Sequence, residues 1–190
     1  GVKTGDRVAV DPNLECNACR ACDKGWAHLC ENLGAYGVST HGGFAQYSVV
    51  KAGCVHPIGN LSFARAALSE PMGCVLNGVD AVHEAWMKDA LIIGAGPMGL
   101  LMGLALRSAG VSNVSFIDIS EERLELASGF GFQGLASGSQ AVADWHQRAD
   151  LVVEATGVAA VASTVTSYLA NGGKGLFFGV CPSEARIEIS

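Results

Sequence analysis

Residues 90–106 read ALIIGAGPMGLLMGLAL, seventeen uncharged positions in a row. That is just short of the ~20 apolar residues a membrane helix needs. Glycine and proline crowd its first ten positions. Three short pieces account for it better: a β-branched strand over 91–93, a turn, and a buried helix over 98–109 closed by Gly110. The turn Gly94-Ala95-Gly96-Pro97-Met98-Gly99 fits the pattern G-x-G-x-x-G. In such a turn Gly94 permits the sharp change of direction, Gly96 lets the backbone approach a pyrophosphate, and Gly99 lets helix and strand pack closely. Phosphate oxygens would rest on free N–H groups at the positive end of the helix. Gly94, Gly96, Pro97, Met98 and Gly99 are therefore candidate cofactor-binding residues.

The pattern alone is weak evidence, because a glycine turn can serve helix–sheet packing only. A second strand, expected over 114–119, strengthens it by carrying Asp118 nineteen residues after Gly99. A carboxylate there accepts hydrogen bonds from both hydroxyls of an adenosine ribose and repels a 2′-phosphate, which favours NAD over NADP. Arg123, one helical turn further on, is the neighbouring group that could attract a phosphate instead.

Outward from this unit, strands and helices alternate. Ser120 is placed to cap the next helix, with Glu121 and Glu122 in its positive first turn. Further strands are expected over 132–136, 151–155 and 175–180, with a helix over 158–169 ended by Asn171-Gly172-Gly173. Upstream, Ser69-Glu70-Pro71 reads as a helix start, followed by apolar residues at helical spacing from Met72 to Trp86. The alternation predicts an α/β fold, a doubly wound parallel sheet covered on both faces, over residues 69–190. Residues 1–68 have another texture. Short strand-like runs, 7–10 and 44–50, follow glycine turns, as in a small irregular β-rich lobe.

That lobe contains Cys16, Cys19, Cys22 and Cys30, spaced C-x2-C-x2-C-x7-C. Thiolates are soft ligands, and such spacing lets a tight loop wrap one zinc ion tetrahedrally. Four thiolates fill the coordination sphere, so the site is structural rather than catalytic. His28 lies inside the loop but is superfluous as a ligand. Cys54, Cys74 and Cys181 are isolated and expected to be small buried apolar residues.

Composition narrows the function classes. Twelve basic and 18 acidic side chains leave a net charge of −6, and the cysteine loop is itself acidic, so nucleic acid is not the expected partner. No leader or membrane span is visible, and an odd count of seven cysteines with a metal-type cluster suggests a reducing, cytoplasmic setting. Charged residues are only 16% of the chain, against ~25% in ordinary soluble domains, and 25 glycines are an unusually high number for 190 residues.

The cysteine loop followed by the glycine fingerprint resembles the zinc-dependent medium-chain alcohol dehydrogenases, in particular the sorbitol (polyol) and threonine dehydrogenase-like branch. Gly5-Asp6-Arg7-Val8, Leu29-Cys30-Glu31-Asn32, Gly42-Gly43-Phe44-Ala45-Gln46-Tyr47, Ser69-Glu70-Pro71-Met72 and Glu154-Ala155-Thr156-Gly157 carry the likeness along essentially the whole chain. The resemblance implies a GroES-like lobe on a Rossmann domain, with NAD and two zinc ions, one structural and one catalytic. It implies oxidation of a secondary alcohol to a ketone: a polyol such as sorbitol, xylitol or arabitol, or alternatively threonine or another secondary alcohol. A non-catalytic NAD-binding homologue is a further alternative. It places Met98 at a backbone contact to the cofactor, Asp118 and Arg123 at the adenosine ribose, and Glu70 on or beside the catalytic zinc. A small-molecule substrate and a homo-oligomer, dimer or tetramer, are implied as partners. The family's catalytic cysteine and Gly-His-Glu precede the segment matching 1–10, and its sixth sheet strand follows residue 190. The chain is thus expected to be a central piece whose apolar surfaces face absent segments, which would account for the scarcity of charge.

Overall fold

The computed structural model of the chain describes residues 1–189. The chain divides into two compact units, Gly1–Glu70 and Pro71–Ser190.

In the first unit, β1 (Val8–Val10) lies antiparallel to a later strand spanning Val55–Pro57, with Val8 opposite Pro57. Between them, β2 (Asn13–Leu14) and β3 (Gly34–Ala35) form a second antiparallel pair enclosing the cysteine loop and its single-turn helix α1 (Arg20–Asp23). The Val55–Pro57 strand is β4 in chain order. Helix α2 (Phe63–Ala66) follows, capped by the Ser62 hydroxyl, which accepts the Arg65 N–H. Only five apolar residues of this unit are buried: Cys19, Cys30, Cys54, Ile58 and Ala66. Two of the five belong to the cysteine cluster, so this lobe has little core to hold it without a cross-link. Residues 44–50 do not form the expected strand. Their alternating pattern needs a partner strand, none of the described strands pairs with them, and Phe44, Tyr47 and Val49 stand almost fully exposed.

Helix α3 (Ser69–Val82) begins at the expected serine. Then come β5 (Asp89–Ile93), α4 (Pro97–Ser108), β6 (Asn113–Asp118), α5 (Glu121–Gly129), β7 (Gln133–Ala136), α6 (Gln140–Ala143) and β8 (Ala149–Glu154). Two short helices, α7 (Ala159–Ala162) and α8 (Val165–Tyr168), lead into β9 (Leu169–Phe177). The five strands form one parallel sheet in the order β7-β6-β5-β8-β9. Both faces are buried, and the two-residue period of the strands sorts them. Ala90, Ile92, Phe116, Leu151 and Val153 join the α4 side, and Leu91, Ile93, Ile117, Leu135 and Val152 join Val142, Trp145 and Val165 on the other. Met87, in the loop before β5, belongs to the core at 2% exposure.

Three expectations change here. The helix over 158–169 is broken, because Ser163 donates its hydroxyl to the Ala159 carbonyl and Thr164 donates its own to Val161, competing with the helical ladder. Asn171-Gly172-Gly173 does not end a helix. It lies within β9, where the pairing with β8 jumps from Ala149–Leu169 to Leu151–Lys174 and Gly172 adopts φ +83. Of the isolated cysteines only Cys54 is buried; Cys74 is exposed and Cys181 half-buried. Among the described residues, no helix is long and apolar enough to cross a membrane.

Candidate cofactor and metal sites

The chain leaves β5 for β6 and β7 on one side, then returns to β8 on the other. The carboxyl ends of β5 and β8 therefore flank a topological switch point, where open α/β sheets bind their ligands. The glycine turn sits there. Gly94 has φ +110, a left-handed conformation that a side chain would strain. A Cβ on Gly99 would fall 1.9 Å from the Gly94 carbonyl oxygen, so helix α4 can start this close to β5 only without one. Gly96 is different: a Cβ there would meet nothing within 4 Å. Its bareness serves open space, as a backbone cradle for a ligand does. Pro97 opens α4, and the helix's first N–H groups, at Met98 and Gly99, have no carbonyl partner within it.

Asp118 ends β6, 7% exposed. The parallel register sets Ile117 opposite Ile93, which brings Asp118 beside the glycine turn. Its Oδ2 accepts the Ala95 N–H at 2.8 Å, and Oδ1 accepts the Ser120 N–H at 2.9 Å. A carboxylate offers about four acceptor positions, so these two bonds leave capacity for ribose hydroxyls. Arg123, held in the first turn of α5, reaches to 3.7 Å of Oδ2 while remaining exposed. An open hollow of about 630 Å³ adjoins this corner, lined by Ile119, Ser120, Glu122, Arg123, Glu125 and Leu126. The tie between Asp118 and the glycine turn was not legible from motif spacing. It depends on register, which a strand's own residues do not state.

The four cysteine sulfurs of the loop lie within 4.8 Å of one another, with Cys19 and Cys22 at 3.5 Å and Cys19 and Cys30 at 3.9 Å. Four sulfurs around one zinc at ~2.3 Å would stand ~3.8 Å apart, so the donor set fits a tetrahedral ion. Asn17, with φ 54, makes the sharp bend between the first two ligands. N–H groups of Cys16 and Asn32 point at the Cys30 sulfur, at 3.3 and 3.4 Å. The Cys22 and Glu31 N–H groups pull the Cys19 thiol down to about 6, whereas burial, with Cys19 and Cys30 alongside, pushes Cys22 up to about 11. Cys16 is lowered, chiefly by the Ala18 N–H. Backbone N–H groups thus ease proton loss at Cys16 and Cys19, while Cys22 holds its proton more tightly until a metal displaces it. His28 is outside the cluster.

Glu70 stands exposed in the first turn of α3. Among the described residues the four cysteines are the one group of three or more histidines, cysteines and acids that could hold a metal, and Glu70 is not part of it.

Residues 1–60 match the alcohol dehydrogenase GroES-like domain, and residues 65–190, well over half of the chain, match the glucose dehydrogenase C-terminus family. The chain belongs to the zinc-dependent medium-chain alcohol dehydrogenases. It is 47% identical to D-altritol 5-dehydrogenase of Agrobacterium fabrum over 99% of its own length, and 33% identical to D-arabinitol dehydrogenase 1 of Uromyces fabae over 100%. It spans 57% of each of those proteins. Among solved structures, a zinc-binding dehydrogenase from Sinorhizobium meliloti 1021 bound to NADP superposes with a TM-score of 0.93 at 30% identity, covering 100% of this chain and 58% of that one.

Proposed function

We propose that the full natural chain is an NAD-linked dehydrogenase that oxidises a secondary hydroxyl of a polyol to a ketone. The observation that carries the reading is the corner formed by the bare Gly96 backbone and the Asp118 carboxylate at the sheet's switch point. Likeness to altritol and arabinitol dehydrogenases supports the polyol substrate class.

In this reading the pyrophosphate lies on the N–H groups at Gly96, Met98 and Gly99, with Pro97 presetting the helix start. Asp118 accepts the adenosine ribose hydroxyls, and Arg123 holds the carboxylate in place. NAD, when bound, would supply the hydride acceptor for the alcohol carbon. Cys16, Cys19, Cys22 and Cys30 hold a zinc that cross-links the first lobe and takes no part in the reaction. The family likeness would set Glu70 on or beside a catalytic zinc, but among the described residues it belongs to no group of three or more ligating side chains. A cytoplasmic homo-oligomer that binds neither nucleic acid nor membrane completes the proposal.

The test is a steady-state assay of the full natural chain, zinc-replete, with altritol, arabitol, sorbitol, xylitol and threonine. NAD reduction is expected with at least one polyol and faster than with threonine. No reduction with any of them would remove the proposal; preference for threonine would move the chain to the other side of its branch.

A further inference from the structure

Glu154 ends β8 at 0% exposure, and the cofactor reading gives it no task. One of its oxygens, Oε1, accepts three donors from the loop that follows: the Thr156 N–H at 2.6 Å, the Gly157 N–H at 3.0 Å and the Thr156 hydroxyl. That hydroxyl in turn accepts the Val158 N–H at 3.1 Å. The backbone at 156–158 is thus tied to one side chain. The other oxygen, Oε2, is buried with no hydrogen-bond partner among the described residues. A Cβ on Gly179 would lie 2.5 Å from it and 2.2 Å from the Gly157 nitrogen. Glu154 is therefore wedged between its own loop and the chain leaving β9, where the Phe178 and Gly179 N–H groups both bond to the Glu154 carbonyl.

A buried acid with a bare oxygen is a poor way to stabilise a fold, since burying an unmet polar atom opposes folding. Such breaches of local consistency cluster where function needs a geometry. The geometry here presses the loop against the glycine turn. A Cβ on Gly94 would meet the Thr156 methyl at 3.0 Å and the Ala155 carbonyl at 3.2 Å. The glycine turn and Asp118 belong to the half of the sheet made by β5, β6 and β7, whereas the loop of residues 155–158 opens the half made by β8 and β9. In doubly wound sheets of this kind the two halves take the two mononucleotides of a dinucleotide.

We propose that Glu154 is a positioning residue for the nicotinamide mononucleotide half of the cofactor. It does not touch the ligand. It holds residues 156–158 at the crevice wall, so that this half seats while the adenosine half depends on the glycine turn and Asp118. The proposal rests on the cofactor reading, and its test separates the two.

The full natural chain is titrated calorimetrically with NAD and, separately, with AMP as a probe of the adenosine half. Glu154→Leu removes the acceptor at similar size; it should weaken NAD about tenfold or more while AMP stays within about twofold. Glu154→Gln keeps an acceptor oxygen in the same shape and should restore NAD to within about threefold. Thr156→Val removes one of the three donors and should weaken NAD by about threefold, again without effect on AMP. If Glu154→Leu does not fold, Thr156→Val decides in the same way. Equal losses of NAD and AMP, or undiminished NAD affinity in a folded variant, overturn the positioning role. An unmutated chain that binds neither probe overturns the cofactor reading and this proposal with it.

Discussion

The Asp118 carboxylate accepts the Ala95 N–H at 2.8 Å, so the end of β6 holds the turn that follows β5. The residue expected to choose between NAD and NADP is also part of the scaffold of the phosphate cradle. Asp118→Ala should therefore act twice. Leaving the Ala95 and Ser120 N–H groups without their carboxylate should cost ~1–3 kcal/mol of stability. NAD affinity should fall by ~10-fold or more, the worth of hydrogen bonds to a charged group. Thermal unfolding and NAD titration check the two parts. The unmutated protein should bind NADP more weakly than NAD by ~10-fold, because a 2′-phosphate would face the carboxylate. Equal affinity would remove Asp118 from the ribose site.

Two glycines of one turn should respond in opposite ways. A Cβ on Gly99 collides with the Gly94 carbonyl oxygen, so Gly99→Ala should lower stability by ~1–3 kcal/mol, the usual range for overpacking, whether or not NAD is present. Gly96→Ala meets empty space and should leave the melting temperature of the free protein nearly unchanged while weakening NAD binding. A melt and a titration of each variant suffice. Similar effects from both would mean that Gly96 serves packing alone.

Metal analysis of the 190-residue chain should find one tightly held zinc. Chelation should loosen residues 1–70 and leave the second unit, with its own large core, protected from protease. Acidification should mimic the chelator, because protons compete for the thiolates as pH falls. Cys19→Ser should reproduce the chelated pattern. Protease cleavage that ignores chelator would show that the first lobe stands without its cross-link.

Phe44, Tyr47 and Val49 lie close together in sequence and almost fully exposed, at 113%, 90% and 95%. Apolar surface of this kind promotes association. The 190-residue chain expressed alone should self-associate and bind a hydrophobic dye, and the triple change to serine should reduce both. Light scattering after size exclusion checks it. A soluble monomer would show that the low charge content of this chain has another cause.

Much of the candidate site was legible because its signals are local. The glycine turn, the capping Ser120 and the cysteine loop each lie within a dozen or so residues, and their spacing states the geometry they adopt. The apolar runs at 91–93, 114–119 and 151–155 mark β5, β6 and β8 to within a residue or two at each end, for the same reason. The break between α7 and α8 was less visible, since hydroxyl back-bonding leaves the apolar period intact. Glu154 was visible as part of a family stretch but not as a buried anchor. An acid ending an apolar strand reads as a solvated strand end until the neighbouring strands are laid beside it.

Residues 90–106 thus determined by themselves a strand, a turn that admits bare backbone, and a helix, because steric limits on φ and the loss of Cβ act within a few bonds. The same holds for four thiols spaced to close on one ion. Tertiary structure alone decided that Asp118 reaches Ala95, that Glu154 ties down residues 156–158, and that residues 44–50 stand unpaired. Each of these depends on which distant segment lies alongside, and a strand's own residues leave its neighbour and register open until the sheet assembles.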